Sequence, residues 1–174
     1  LGGAKSVGID INESGFYKGY LTGLEDTLSF VCRDVSENSQ NLGKFDLVTS
    51  FSAFEHFADP PGMLKSMAQL VKKTGYLYID FAPIYYCTDG YHLYRTIQIP
   101  WCHLLFSEKL CDEFYYNKIN KTNRNYFNKW SAFDFLMLFS TFYDLKLVSL
   151  QIHWKLHHLW FAKMFPSMFP PYGL

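Results

Sequence analysis

The feature that most constrains this chain is an alternation, over its first 81 residues, of short apolar runs that end on polar groups with stretches of helical character. Residues 6–11 set Val7, Ile9 and Ile11 against Ser6, Gly8 and Asp10, a period of two that predicts a strand closing on a carboxylate. Residues 28–35 predict a second strand, again ending at an acid, Asp34, and residues 45–50 a third, ending at Ser50. A helix follows: Asp59 can cap it, Pro60 suits its first turn, and Met63, Met67, Leu70 and Val71 share a face. Lys72 and Lys73 are expected in its last turn and Gly75 at its end, with a strand over residues 76–81. Residues 12–24 give a weaker helix, with Phe16, Tyr20 and Leu24 on one face and three glycines against it.

Strands alternating with helices predict βαβ units, a mostly parallel sheet and helices on both faces. In such sheets a ligand binds beyond the carboxyl ends of the strands. Asp10, Asp34 and Ser50 all fall at strand carboxyl ends, so the expected ligand rim carries two acids and a hydroxyl.

After Pro83 the pattern changes. Most of the aromatic residues lie beyond position 84, and residues 85–125 show no sustained period, which predicts a covering insertion or lid. Ser131 then opens a helix running to about Phe142, with Asp134 at the capping-box position. Residues 145–154 read as a strand, and the three prolines after Phe165 break regular structure. The expected division is therefore residues 1–84 as a cofactor-binding half, 85–125 as the insertion, and 126–174 as the remainder of the same domain.

The balance of 16 basic against 16 acidic residues gives no signal for a nucleic-acid partner. A hydrophobic fraction of 49% with 18% charged residues is that of a globular chain. Cys32, Cys87, Cys102 and Cys111 form no zinc-type spacing, and free thiols fit a reducing cytoplasm. The longest apolar stretch is too short to cross a bilayer.

Taken in order, Gly8-Ile-Asp-Ile-Asn12, Arg33-Asp-Val35, the run from Phe45 to Pro60, the Lys72-Lys73-Thr74-Gly75 turn and the Tyr76–Pro83 run resemble the class I S-adenosylmethionine-dependent methyltransferases, including small-molecule enzymes of the ubiquinone-biosynthesis type. The resemblance implies a Rossmann-like α/β sheet and S-adenosylmethionine as cofactor. It further implies that Asp10 bonds the ribose hydroxyls, Ile11 packs on the adenine, Asp34 and Val35 reach the adenine edge, and Ser50 and Phe51 lie near the methionine part. Glu55 and His56 match a Glu-His pair often found after the fourth strand of that family, with roles as a base, in shaping the site, or in holding a metal. The metal-holding members carry a further acid a few residues earlier. Ser50 and Ser52 stand there instead, so no metal is expected.

The insertion of such enzymes covers the substrate, which implicates Tyr91, His92, Tyr94, Trp101 and His103 in binding a small-molecule methyl acceptor by O- or C-methylation rather than N-methylation. The family's first strand with its glycine-rich loop and a closing antiparallel strand are not seen in the sequence. The chain is therefore expected to be a partial domain with exposed apolar edges. Plainer readings remain open: Asp10 and Asp34 also suit ordinary turns, and His56, His92 and His103 also suit packing. A methyltransferase-like scaffold module and a nicotinamide-dependent dehydrogenase are the competing functions, and the oligomeric state is not legible.

Overall fold

The computed structural model describes residues 3–12, 27–123, 125–153 and 158–168. The helix expected over residues 12–24 falls almost wholly outside them. The chain divides into two compact units: residues 1–48 with 62–76, and residues 49–61 with 77–174.

In the first unit, β1 (Ser6–Asp10) and β2 (Leu28–Cys32) pair in parallel, with Ser6 opposite Leu28 and Asp10 opposite Cys32. Parallel pairing puts the carboxyl ends of both strands at the same edge. One turn of helix, α1 (Val35–Asn38), follows β2. The Asp34 side chain caps it, accepting from the Ser36 backbone N–H at 2.8 Å and from the Ser36 hydroxyl at 2.6 Å.

The strands β3 (Phe45–Phe51) and β4 (Val71–Asp80) form a second two-stranded sheet, and α2 (Pro60–Leu70) connects them. Each of these three elements begins in one unit and ends in the other. The single sheet expected from the alternation is thus present as two pairs, since no ladder links β1 and β2 to β3 and β4 among the described residues. The architecture is of the Rossmann-like α/β class.

Pro60 opens α2 as expected, but the helix stops at Leu70 rather than at Gly75. Lys72, Lys73 and Gly75 belong to β4 instead, and two local interactions explain why. The Lys72 ammonium holds both carboxylate oxygens of Asp46 on β3 at 2.9 Å, which draws this stretch onto the strand. Gly75 lies so near the β3 backbone that a Cβ there would sit 2.8 Å from the Asp46 carbonyl oxygen and 2.9 Å from that of Phe45. Only glycine admits that approach. The buried face of α2 is Leu64, Met67 and Leu70, continued by Val71, while Met63 is half-buried.

The second unit contains α3 (Cys102–Leu105), α4 (Glu108–Ile119), α5 (Ala132–Thr141) and α6 (Leu159–Met164). Residues 85–125 are not the aperiodic stretch that the sequence predicts. Ser107 caps α4 by accepting from the Leu110 N–H, and Asn120 ends it in the left-handed conformation at φ 56°. The helix buries only Cys111, so its sequence carries no apolar stripe that marks it. Around it Tyr85, Tyr91, Leu93, Ile97, Cys102, Cys111 and Phe127 make a core of their own.

The capping box of α5 forms as expected, with Ser131 and Asp134 bonding each other's backbone N–H groups. Residues 145–153, by contrast, form no strand. A strand exists through its ladder, and among the described residues these make none, leaving Leu147, Val148, Leu150 and Ile152 exposed. None of the helices is long and apolar enough, among the described residues, to cross a membrane.

Candidate functional site

Two groups of residues deserve the name of a site, one in each unit. In the first unit the shared edge of β1 and β2 carries Asp10, Ile11, Asp34 and Val35. Asp10 closes β1 with an exposed side chain whose Oδ1 accepts the Asn12 N–H at 2.8 Å, an Asx-type turn that fixes the carboxylate. The Arg33 N–H donates to the Asp10 backbone oxygen at 2.9 Å, so the two strand ends are tied together. Ile11 is 67% exposed, an apolar side chain held beside a carboxylate with little covering it. Such an edge offers hydrogen-bond acceptors to a polyol and an apolar face to a flat ring.

In the second unit Ser50 is buried near the end of β3, and Phe51 beside it is exposed and lies 5.5 Å, centroid to centroid, from the Tyr78 ring. The chain then turns sharply at Ser52, in the left-handed region at φ 46°, with its N–H donating to the Asp80 carbonyl at 2.8 Å. A single 3₁₀ turn over Phe54–His56 follows. Phe54 is completely buried among Phe57, Phe81, Phe135 and Phe139, and this aromatic anchor drags Glu55 inside with it.

Asn128 fastens the turn from the other side. Its Nδ2 donates to the Phe54 carbonyl at 2.8 Å and to the Phe57 carbonyl at 3.1 Å, and its backbone N–H donates to the Glu55 carbonyl at 3.1 Å. Nothing in the sequence pattern marks this residue, because its partners are some 70 positions away.

The result is a cluster of the buried Glu55 with the half-buried His56 and His92. Glu55 is 1% exposed, and neither carboxylate oxygen has a hydrogen-bond partner; His56 Nε2 lies 3.8 Å from Oε1. Burial pushes the Glu55 carboxyl above its ordinary range. His56 Nδ1 lies 2.6 Å from the Tyr126 carbonyl oxygen, which can only accept, so Nδ1 carries a hydrogen and in the neutral ring the lone pair is on Nε2. His92 stands edge-on to His56 with 5.1 Å between ring centroids, and Phe127 packs on both rings. Its Nε2 is buried without a partner, and burial, followed by the neighbouring His56, holds its pKa below the ordinary value. Each orphaned buried polar atom costs about 1–3 kcal/mol. Three of them at one point make this the most strained polar environment among the described residues.

Of the five residues expected to meet an acceptor, Tyr91, Trp101 and His103 are buried in the second unit and committed to internal partners. The Tyr91 hydroxyl donates to Asp112 at 3.1 Å, the Trp101 indole N–H to the Tyr86 carbonyl at 3.2 Å, and His103 Nε2 to the Tyr85 carbonyl at 2.6 Å. His92 faces Glu55 and His56, and Tyr94 keeps 39% of its surface exposed. Beside them, the Tyr85 hydroxyl donates to Glu108 at 2.5 Å and Lys129 pairs with the same carboxylate at 2.8 Å. Burial opposes the Glu108 charge, yet the hydrogen bonds from Lys129 and Tyr85 hold its carboxyl below the usual range.

Comparison with known proteins bears on the first part of the chain. Residues 1–79 match the family model of the methyltransferase domain. The ubiquinone biosynthesis O-methyltransferase of Coxiella burnetii is 30% identical over 80 residues, which cover 45% of this chain and 34% of that enzyme. The enzymes of the same name from Cronobacter sakazakii, 33% identical over 81 residues, and Marinobacter nauticus, 27% identical over 85, cover 45% and 46% of this chain and 33% and 36% of their own length. The matched stretch therefore spans about a third of each of these curated relatives. Residues 1–79 are thus similar to a methyltransferase domain, in keeping with the α/β fold class.

Proposed function

We propose that the protein takes part in S-adenosylmethionine-dependent methyl transfer to a small-molecule acceptor, at oxygen or carbon rather than nitrogen. The observation that carries this reading is the parallel β1–β2 edge, where Asp10 and Asp34 lie at the strand ends inside the segment that matches the methyltransferase domain. There Asp10 accepts the ribose hydroxyls, Ile11 covers the adenine, and Asp34 with the Val35 N–H meets its edge. Ser50 and Phe51 serve the methionine part. The sulfonium methyl is already activated by the cofactor, so the chain's task is alignment and activation of the acceptor. Activation falls to Glu55 and His56, which follow β3 directly, and the acceptor is met by the insertion, with Tyr94 its most exposed candidate residue. The names of the relatives, ubiquinone biosynthesis O-methyltransferases, support an acceptor with a hydroxyl on a ring.

The test is calorimetric titration of S-adenosylhomocysteine into the chain and into its Asp10→Ala variant, with reduced nicotinamide dinucleotide as the competing ligand. Binding that weakens by about tenfold or more in the variant is expected, one to two charge-assisted hydrogen bonds being lost. Binding of the nicotinamide cofactor alone, or of neither ligand, overturns the reading in favour of a dehydrogenase or a scaffold.

A further inference from the structure

We propose that Glu55, His56 and His92 bind one divalent transition-metal cation of the zinc type, through two imidazole nitrogens and one carboxylate. The proposal goes beyond methyl transfer and does not depend on it.

Three observations converge. The donor atoms of the three residues all lie within 4.8 Å of one another. Both oxygens of the buried Glu55 and the buried Nε2 of His92 lack any hydrogen-bond partner, although native structures satisfy nearly all such atoms. A cation among them gives all three the same partner. Finally, the His56 ring is held by its other nitrogen against a backbone oxygen, with Nδ1 at 2.6 Å from the Tyr126 carbonyl. An N–H bonded to a carbonyl fixes the tautomer and turns the remaining lone pair toward the ion, as metal-binding histidines do.

The ring geometry agrees. Two imidazoles bonded to one ion at about 2.0–2.1 Å and at the tetrahedral angle place their ring centroids about 5.2 Å apart. The observed separation of the His56 and His92 centroids is 5.1 Å. Donor atoms in such a site are about 3.4 Å apart, so the side chains, whose donors now lie within 4.8 Å of one another, draw together around the ion. Two nitrogens and one carboxylate select zinc, cobalt or iron(II) over magnesium and calcium, which prefer oxygen throughout. Three protein ligands also leave a coordination position for a fourth group. Loaded in this way, His56 is a ligand, and the activating role that methyl transfer gives it belongs to the metal-free chain.

The sequence argued against a metal because no acid precedes Glu55 at the expected distance. The third ligand comes from the insertion instead, 36 positions beyond His56, and the left-handed backbone of His92, at φ 57°, aims it there.

The test is titration of the metal-stripped full chain with cobalt(II), read by visible absorption and followed by competition with zinc and with magnesium. One equivalent is expected to bind, giving ligand-field bands without thiolate charge transfer, and zinc but not magnesium is expected to displace it. The variants Glu55→Gln and His92→Asn should each weaken binding by about 100-fold or more, exceeding the usual effect of changing an outer-shell group. Asparagine tolerates the left-handed conformation at position 92, so that backbone persists. Independently of any variant, added zinc should shift the Nε2 resonances of His56 and His92 in nitrogen-15 spectra while Nδ1 of His56 stays protonated. Absence of binding, binding unchanged in both variants, thiolate bands, or unshifted histidine resonances would each overturn the proposal. None of these outcomes bears on S-adenosylhomocysteine binding, which is measured separately.

Discussion

Asn128 offers the sharpest test of how the second unit holds the turn that buries Glu55. Its side chain makes three hydrogen bonds: two donated by Nδ2 to the Phe54 and Phe57 carbonyls, and one accepted by Oδ1 from the Trp130 N–H at 3.1 Å. Replacement by alanine removes all three and leaves those backbone groups to water. At about 0.5–1.5 kcal/mol net for each bond the sum is roughly 1.5–4.5 kcal/mol. Asn128 is only half-buried, so water satisfies part of what is lost, and about 2–3 kcal/mol is the expected cost. For a chain of this size that corresponds to a fall in Tm of roughly 4–12 °C. Aspartate is the informative contrast. It keeps an acceptor for Trp130 but turns a second oxygen, carrying charge, toward two carbonyls that can only accept. Asn128→Asp should therefore destabilise more than Asn128→Ala, although alanine is the larger deletion. Urea unfolding followed by tryptophan fluorescence measures both, with an unchanged m-value as the sign that only the folded state was altered. An alanine variant within about 0.5 kcal/mol of the parent, or an aspartate variant no worse than alanine, refutes the argument.

Two further perturbations probe the same unit. Gly90→Ala should cost more than about 3 kcal/mol, because a Cβ there would sit 2.5 Å from the Ile84 carbonyl oxygen and nearer still to Tyr85; soluble, cooperatively folding variant of parental stability would refute this. His103, buried and bonded to Tyr85, has its pKa pulled below the ordinary 6.5 by burial, against opposing pulls from the Tyr85 bond, Glu108 and Asp89. The unfolded chain then takes up the proton first, so this group's contribution is complete above pH 6.5 and is lost as pH falls below it. Unfolding curves collected down through that range should show stability declining with acid, with a smaller slope in His103→Gln; an equal slope would show that His103 is not the group responsible.

The sequence by itself determined the elements whose signals are local. A period of two ending on an acid marked β1 and a second run closing on an acid marked β2, and the parallel ladder pairs them and puts Asp10 and Asp34 at one edge. The Ser131–Asp134 capping box announced α5 because both partners lie within one turn. The same locality misled at Lys72, Lys73 and Gly75, which carry the marks of a helix end but take their conformation from Asp46 and the backbone of β3. Residues 145–153 failed in the converse way, since alternation creates only the option of a strand and a ladder partner decides.

Only the tertiary structure decided what surrounds Glu55 and His56. Their adjacency was legible, but the Phe54 anchor that buries Glu55, the Asn128 clamp, the Tyr126 carbonyl that fixes the His56 Nδ1 hydrogen and the approach of His92 join positions between 27 and 85 apart. No periodicity extends over such separations. Burial is what changes the chemistry of these groups: in water Glu55 is an ordinary carboxylate and His92 an ordinary imidazole, and inside the fold both are polar atoms in need of a partner.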